Sequence, residues 1–349
     1  LKFPPILSAW CGEIADNSLP PAGKMHGEAG HHPLMPWDPE RFRILGLLQE
    51  APRNHGRVEL DEDLHAGGRL VAVKVMPAWW VCESLEAWMA SHPEETECPW
   101  RDIAITQYLS QQASFQCVCE YVGLFERQGD GEKEVCLAMG YSSGGDLFAW
   151  LESSGLEVGA ERESVIRPLM WEVLRAVSEL HALGIAHGDM SLENVLLPGA
   201  DEADRGVALP PLRIIDFSAS TGLRALGPRG KPSYQAPEMH QNAEYDACVA
   251  DVFSLGVMLF TLAVGNYPWR STRQSVCPCW KYTLERGLLA YLARRKIEVG
   301  GHVVTLNEKL SPTLVSLLQG LLCSDAATRL TLRAAMEHVW FSEAGLVIS

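Results

Sequence analysis

The feature that most restricts how this chain can fold is a change of hydrophobic period near Tyr141-Ser-Ser-Gly-Gly145. Before that point the pattern is strand-like. Leu70-Val-Ala-Val-Lys-Val75 is a short β-branched run, and Phe115–Phe125 and Val135–Met139 read as further strands around one helical stretch, Trp100–Gln112. After it the period is helical. Leu169, Val173, Val177 and Leu180 recur at helix spacing within Pro168–Leu183, and Asp251–Val264 and Pro312–Leu322 behave alike. The expectation is an α+β chain in two lobes, a β-rich one over 41–140 and a larger helical one over 141–349. A Pro-, Gly- and His-rich extension, 1–40, precedes them and packs on a domain. A Gly-containing hinge between such lobes predicts a cleft, where ligands usually sit.

Composition narrows the class. The 349 residues are ample for two cores, and 47% hydrophobic with 21% charged residues is an ordinary soluble globular balance. The formal charge of −15 repels nucleic acid and anionic lipid, so neither is expected as a partner. No stretch reaches the roughly 20 apolar residues of a membrane span, and the most apolar one, Val252–Val264, reads as a buried helix. Ten cysteines are many, yet a chain this long needs no disulfide framework. Cys277-Pro-Cys279 has no His cluster to complete a zinc site, and Cys82, Cys98, Cys117, Cys119, Cys136 and Cys248 read as buried free thiols, although an even count permits disulfides in a secreted protein. A chain starting at Leu1 suggests that an N-terminal piece has been removed.

The chemistry lies in the order of motifs, each weak alone. A strand lysine, Lys74, comes first, and the hinge follows. Next stand His187-Gly-Asp-Met-Ser-Leu-Glu-Asn194, a strand ending in Asp216-Phe217, Ala236-Pro-Glu238, Asp251-Val-Phe-Ser-Leu-Gly256, Arg329 and His338-Val-Trp-Phe341. This ordered set resembles the protein kinase fold from about 42 to 341.

Moving a γ-phosphoryl group requires charge neutralisation, metal clamping and alignment of a hydroxyl. On that basis Lys74 is expected to neutralise the α- and β-phosphates of ATP. Asp216 and Asn194 carry oxygens of the kind Mg²⁺ (or Mn²⁺) takes, and Asp189 would accept the hydroxyl proton. The resemblance implies that Met139 gates the adenine pocket, that Gly140, Tyr141 and Ser142 offer backbone hydrogen bonds to the base, and that Asp146 bonds the ribose. It also implies a buried Glu238–Arg329 pair and a supporting role for Asp251 beneath the catalytic loop.

The chain departs from the family pattern in several places. Upstream of Lys74 there is no G-x-G-x-x-G; Ala51, Pro52, Arg53 and His55 stand where the phosphate-covering loop belongs, and Pro52 removes a donor. Counting along the helix places Thr106 where the acid partner of Lys74 is expected, with Asp102 one turn earlier and Glu97 as stand-ins. Gly188 replaces an Arg, which implies no phosphate-dependent locking of the activation segment, and Ser218 replaces a Gly. Ser191 replaces the Lys that touches the γ-phosphate, while Lys231 in Gly230-Lys-Pro-Ser-Tyr-Gln-Ala-Pro-Glu238 stands where a Thr is usual, so Lys231 is expected to supply that ammonium as a catalytic group.

A kinase fold without the glycine loop resembles the secreted with-no-glycine-loop, rhoptry-kinase-like family of apicomplexan parasites, which includes a bradyzoite pseudokinase. That resemblance implies export through the secretory pathway to a parasite vacuole or cyst. Two insertions stand out: 77–100, whose Trp79, Trp80 and Trp88 are most simply core packing, and the acidic 198–211. The retained Lys74, Asp189, Asn194 and Asp216 favour a Ser/Thr protein kinase acting on protein substrates. The lost contacts leave an inactive scaffold that binds a protein partner as the alternative.

Overall fold

The computed structural model describes residues 34–52, 55–129, 131–199 and 211–342. Most of the acidic insertion, 200–210, and most of the N-terminal extension, with Cys11, therefore lie outside the described residues. The chain divides into two compact units, one running to Ser143 and including Ile215–Gly222, the other comprising Gly144–Ile214 and the residues from Leu223 onward. The first is β-rich and the second helical, which gives the α+β, two-lobed fold class expected from the change of period.

The first unit is built on a six-stranded sheet: β1 (Met35–Pro36), β2 (Phe42–Ala51), β3 (Gly56–Asp63), β4 (Arg69–Pro77), β5 (Tyr121–Gln128) and β6 (Lys133–Gly140), in the order β1-β5-β6-β4-β3-β2. All neighbours are antiparallel except β1, which lies parallel to β5. Met35 and Pro36, placed in the extension by sequence, thus form the sheet's edge. The strand expected over Phe115–Phe125 begins only at Tyr121. The Phe115 N–H turns back to the Gln112 carbonyl (3.0 Å) and the Tyr121 N–H to Ser110 Oγ (2.9 Å), which makes the intervening apolar run a buried loop.

Alternation along β4 decides which side chains face which layer. Val71, Val73 and Val75 pack with Phe42, Phe125, Cys136 and Ala138, covered by Met35 and Trp37. Met76 belongs to the opposite layer with Leu124, Val135 and Leu137. Three helices pack there, α1 (Ala78–Val81), α2 (Leu85–Ser91) and α3 (Pro99–Ser110). The 77–100 insertion supplies Trp80 and Trp88, both buried, with Trp88 stacked on His92 and Trp80 meeting it edge-on, whereas Trp79 is half exposed against His55. Lys74, two residues before Met76, issues from this same face.

The other face carries a charged network on β3. Arg57 and Arg127 each bridge Glu59 and Glu134 at 2.7–2.9 Å, and Arg41 pairs with Asp63. Asp61 is fully buried among them, and neither of its carboxylate oxygens has a hydrogen-bond partner. Burial first, and then the nearby Glu59, push its pKa up to about 6 against the opposing pull of Arg127. A group whose folded pKa is raised stabilises in acid and loses that contribution as pH rises from its unfolded value to its folded one. Stability should therefore fall by on the order of 1–2 kcal/mol between about pH 4 and pH 6 from this residue alone. Urea melts across that range should show the decline, and Asp61→Asn should flatten it; an unchanged profile in the variant would rule Asp61 out.

In the second unit α4 (Leu147–Ser153), α5 (Ala160–Ala182) and α6 (Ala247–Val264) lead into shorter C-terminal helices ending at Ser342. The sequence starts α5 at Pro168, but the helix begins eight residues earlier, with the Glu163 N–H on the Gly159 carbonyl (3.0 Å) and the proline inside. The missing Pro168 donor is outweighed by the buried stripe Ile166, Met170, Val173, Leu174, Val177 and Leu180. By length and a mean hydropathy of 2.1, α6 could cross a membrane, but 89% of that window is buried inside the protein, which makes it a core helix. Gly256 lets it pass close to its neighbour, since a Cβ there would lie 2.8 Å from Leu321. No disulfide joins the nine described cysteines.

Candidate active site

Within the β-rich unit three side chains converge. The Lys74 ammonium lies 2.6 Å from Asp102 Oδ2 and 3.2 Å from Asp216 Oδ1, with the lysine side chain 8% and Asp102 3% exposed. Burial works to lower the Lys74 pKa, but the charges of Asp102 and then Asp216 outweigh it and raise it above its ordinary value. The group is a fixed cation. The acid the sequence left open is therefore Asp102, in the first turn of α3, and neither Thr106 nor Glu97. Asp102 and Thr106 are both buried on one helix face, four residues apart.

Asp102 does more than neutralise. Its Oδ1 accepts the Phe217 N–H at 2.9 Å, while Ser218 offers its carbonyl to the Cys98 N–H, also at 2.9 Å. These two bonds tie the Asp216-Phe217-Ser218 turn to the start of α3. They explain why Ile215–Gly222 groups with the β-rich unit although the sequence assigns it to the helical lobe. They also hold Asp216 in a left-handed backbone conformation (φ 62°) that costs of order 1 kcal/mol or more. Ser218 thus replaces Gly without displacing the acid before it.

Met139, the penultimate residue of β6, packs against the apolar layer that includes Trp80 and Leu137. The expectation that the next residues offer backbone hydrogen bonds is narrowed to particular atoms. The Gly140 N–H is spent on the Glu120 carbonyl (2.8 Å) and that of Tyr141 on Leu70 (3.3 Å), so neither N–H is available to a base. Any base recognition by this stretch rests on the Gly140 and Tyr141 carbonyls and on Ser142, which is buried.

Within the helical unit a second cluster surrounds Asp189. Asp251 accepts the backbone N–H groups of His187 (2.7 Å) and Gly188 (3.0 Å) and also meets His181 Nε2 at 2.9 Å. It braces the loop from below, as expected. Asn194 Nδ2 donates to the Asp189 carbonyl at 2.8 Å and lies 3.4 Å from Asp189 Oδ2. Asp189 Oδ1 accepts the Lys231 N–H at 2.8 Å. Gly230 makes that contact geometrically open: its φ is +69°, and a Cβ would sit 2.4 Å from Asp189 Oδ1. Sequence reasoning passed over Gly230, although its place immediately before Lys231 was the available signal.

The Lys231 ammonium lies 2.9 Å from Ser191 Oγ and 3.0 Å from Glu193 Oε2. Asp146 caps α4 through the Ala149 N–H (2.8 Å), so one oxygen proposed for a ribose is already engaged. Glu238 and Arg329 form the expected buried pair. Among the described residues no group of three or more His, Cys, Asp or Glu side chains could hold a metal.

The protein kinase domain family matches residues 83–341 of the chain. The chain belongs to the protein kinase family. The match begins C-terminal to Lys74, so the part played by that lysine rests on the geometry above. Similar curated proteins are serine/threonine-protein kinase SRK2I of Arabidopsis thaliana, 30% identical over 211 residues (59% of this chain, 52% of the relative), and serine/threonine-protein kinase SAPK3 of Oryza sativa subsp. indica, 31% identical over 220 residues (60% and 59%). This kinase domain chain spans between half and three-fifths of the length of those relatives.

Proposed function

We propose that this chain is a Ser/Thr protein kinase that transfers the γ-phosphoryl group of Mg-ATP to protein hydroxyls. The observation that carries the reading is the cation at Lys74, clamped between Asp102 and Asp216. Lys74 neutralises phosphate oxygens. The donors fit a hard divalent cation in kind: Asp216 brings a carboxylate, and Asn194, whose amide nitrogen is spent on Asp189, brings a carbonyl oxygen. The metal, when bound, offsets charge on the phosphates. Asp189 is the general base. Its Oδ1 accepts the Lys231 N–H and its Oδ2 lies 3.4 Å from Asn194 Nδ2, so the carboxylate is held in one orientation to take the hydroxyl proton. Gly188, in place of an arginine, supports a kinase whose activation segment needs no phosphate to lock it.

The finer assignment to the secreted with-no-glycine-loop, rhoptry-kinase-like family, with export to a parasite vacuole or cyst, is part of the same proposal. Its support is Ala51 and Arg53 at glycine positions, with Pro52 between them, and the absence of any G-x-G-x-x-G before Lys74. The same residues favour the second reading, a pseudokinase that serves as a binding scaffold.

The test is transfer of labelled γ-phosphate from ATP to a serine- and threonine-containing peptide in Mg²⁺. The expected result is transfer by the wild-type chain and a loss of about 10²–10⁴-fold in Asp189→Asn at unchanged melting temperature. Equal transfer by both would overturn the role of Asp189. Mg-dependent ATP binding with no transfer by either would select the pseudokinase.

A further inference from the structure

Most of the polar groups around Asp189 are accounted for by the reaction just described, but the Ser191–Lys231–Glu193 cluster is not. We propose that Lys231 is a catalytic cation that contacts the transferring phosphoryl group, and that it couples order in its own segment to catalysis. The inference rests on the kinase reading and adds the regulation of that site.

Two atoms of one residue carry the argument. The main-chain N–H of Lys231 fixes Asp189 Oδ1 at 2.8 Å, and its ammonium reaches Ser191 Oγ at 2.9 Å, two residues beyond the base. The lysine side chain is 27% exposed and its counter-ion Glu193 34%, so the charge faces solvent on one side and is not locked in a dry core. A lysine pairing only for structure has no reason to be seated on the residue two past the base while its own backbone clamps that base. Ser191 is fully buried and carries no charge, so the cation next to Asp189 must come from elsewhere.

The segment that presents Lys231 is itself held by named contacts. Gln235 Nε2 donates to the Gly230 carbonyl (2.9 Å), and the Tyr234 hydroxyl accepts the Leu192 N–H (3.4 Å). If this segment leaves its place, the base loses its clamp and the site loses its cation in the same event. Order of residues 230–235 thereby switches catalysis with no phosphate group, in keeping with the absence of an arginine at Gly188. Glu193 holds the ammonium when no phosphate is present, and the phosphate displaces it when bound.

The experiment relocates the charge. Lys231→Thr is compared with the double variant Lys231→Thr/Ser191→Lys, in the full chain, for transfer to a Ser/Thr peptide and for the ratio of Mg-ATP to Mg-ADP affinity by calorimetry. Lys231→Thr should lower kcat by about a hundredfold with little change in the peptide KM, and should lose the preference for ATP over ADP. The double variant, whose new ammonium grows from the atom that Lys231 now touches, should recover about tenfold or more of that loss. Transfer and ATP preference unchanged in Lys231→Thr would overturn the proposal. So would a double variant that regains its melting temperature but no transfer, because that is the behaviour of a structural ion pair. If the wild-type chain transfers nothing yet loses its ATP preference on Lys231→Thr, the contact stands and only the kinase reading fails.

Discussion

Replacing Arg329 with Met should lower stability by about 3–5 kcal/mol, a large share of the roughly 5–15 kcal/mol that holds a domain together. The side chain is fully buried, and its two terminal nitrogens meet the Glu238 carboxylate at 2.5 and 2.8 Å. It also donates to the Cys323 carbonyl (3.0 Å) and to that of Val249 (2.8 Å), and it lies over the Phe253 ring at 5.0 Å. One guanidinium thus joins the Ala236-Pro-Glu238 turn, the start of α6 and the C-terminal segment. Methionine fills much of the volume but leaves Glu238 a buried charge without its partner and two carbonyls without donors. The penalty is for that orphaned charge rather than for the pair as such. Arg329→Met/Glu238→Gln should therefore cost clearly less than Arg329→Met alone. Urea melts of the three chains decide the matter, and a loss under about 1 kcal/mol in Arg329→Met would show the pair to be dispensable.

The second large effect belongs to Lys74. Lys74→Met removes the ammonium that bridges Asp102 and Asp216, so both carboxylates lose that ion pair. Loss of about 10²-fold or more in phosphotransfer is expected, the size of removing a preorganised charge contact. The Asp102 variants separate its two duties. Asp102→Asn keeps an oxygen for the Phe217 N–H and loses only charge, whereas Asp102→Ala also leaves that buried N–H orphaned and should unfold more easily. The raised Lys74 pKa fixes the sign of any pH effect. A lysine held above its unfolded value contributes in full below that value and is lost only as pH rises through the folded one. Lys74 therefore gives no titration near neutrality.

How far the residues could be read before the structure depends on the distance over which each is determined. The strand that carries Lys74 follows from the β-branched run Leu70–Val75, and the Asp189 loop, Asp251 and the Glu238–Arg329 pair follow from the resemblance that the order of motifs carries. Asp102 was one of two stand-ins, with Glu97, because counting placed Thr106 at the expected position and sequence spacing cannot say which turn of that helix face meets Lys74. The bond from Asp102 to Phe217 joins residues 115 apart and leaves no local signature. Nor does the grouping of Ile215–Gly222 with the β-rich unit, which a linear division at 140 cannot express. Which hinge atoms stay open was illegible for a similar reason: whether the Gly140 and Tyr141 amides are spent depends on Glu120 and Leu70, neighbours that the sequence does not pair. Pro168 misled because a proline marks a helix start more often than an interior that packing can carry.

The measurement that bears most directly on the account is the melting temperature of the wild-type chain and of Lys74→Met in Mg-ATP. Binding to the folded state alone stabilises by about 2.7 kcal/mol at a hundred times Kd. A clear rise for the wild type, with none for Lys74→Met, is the result the account requires. A rise of equal size in both chains, or none in the wild type, would contradict it.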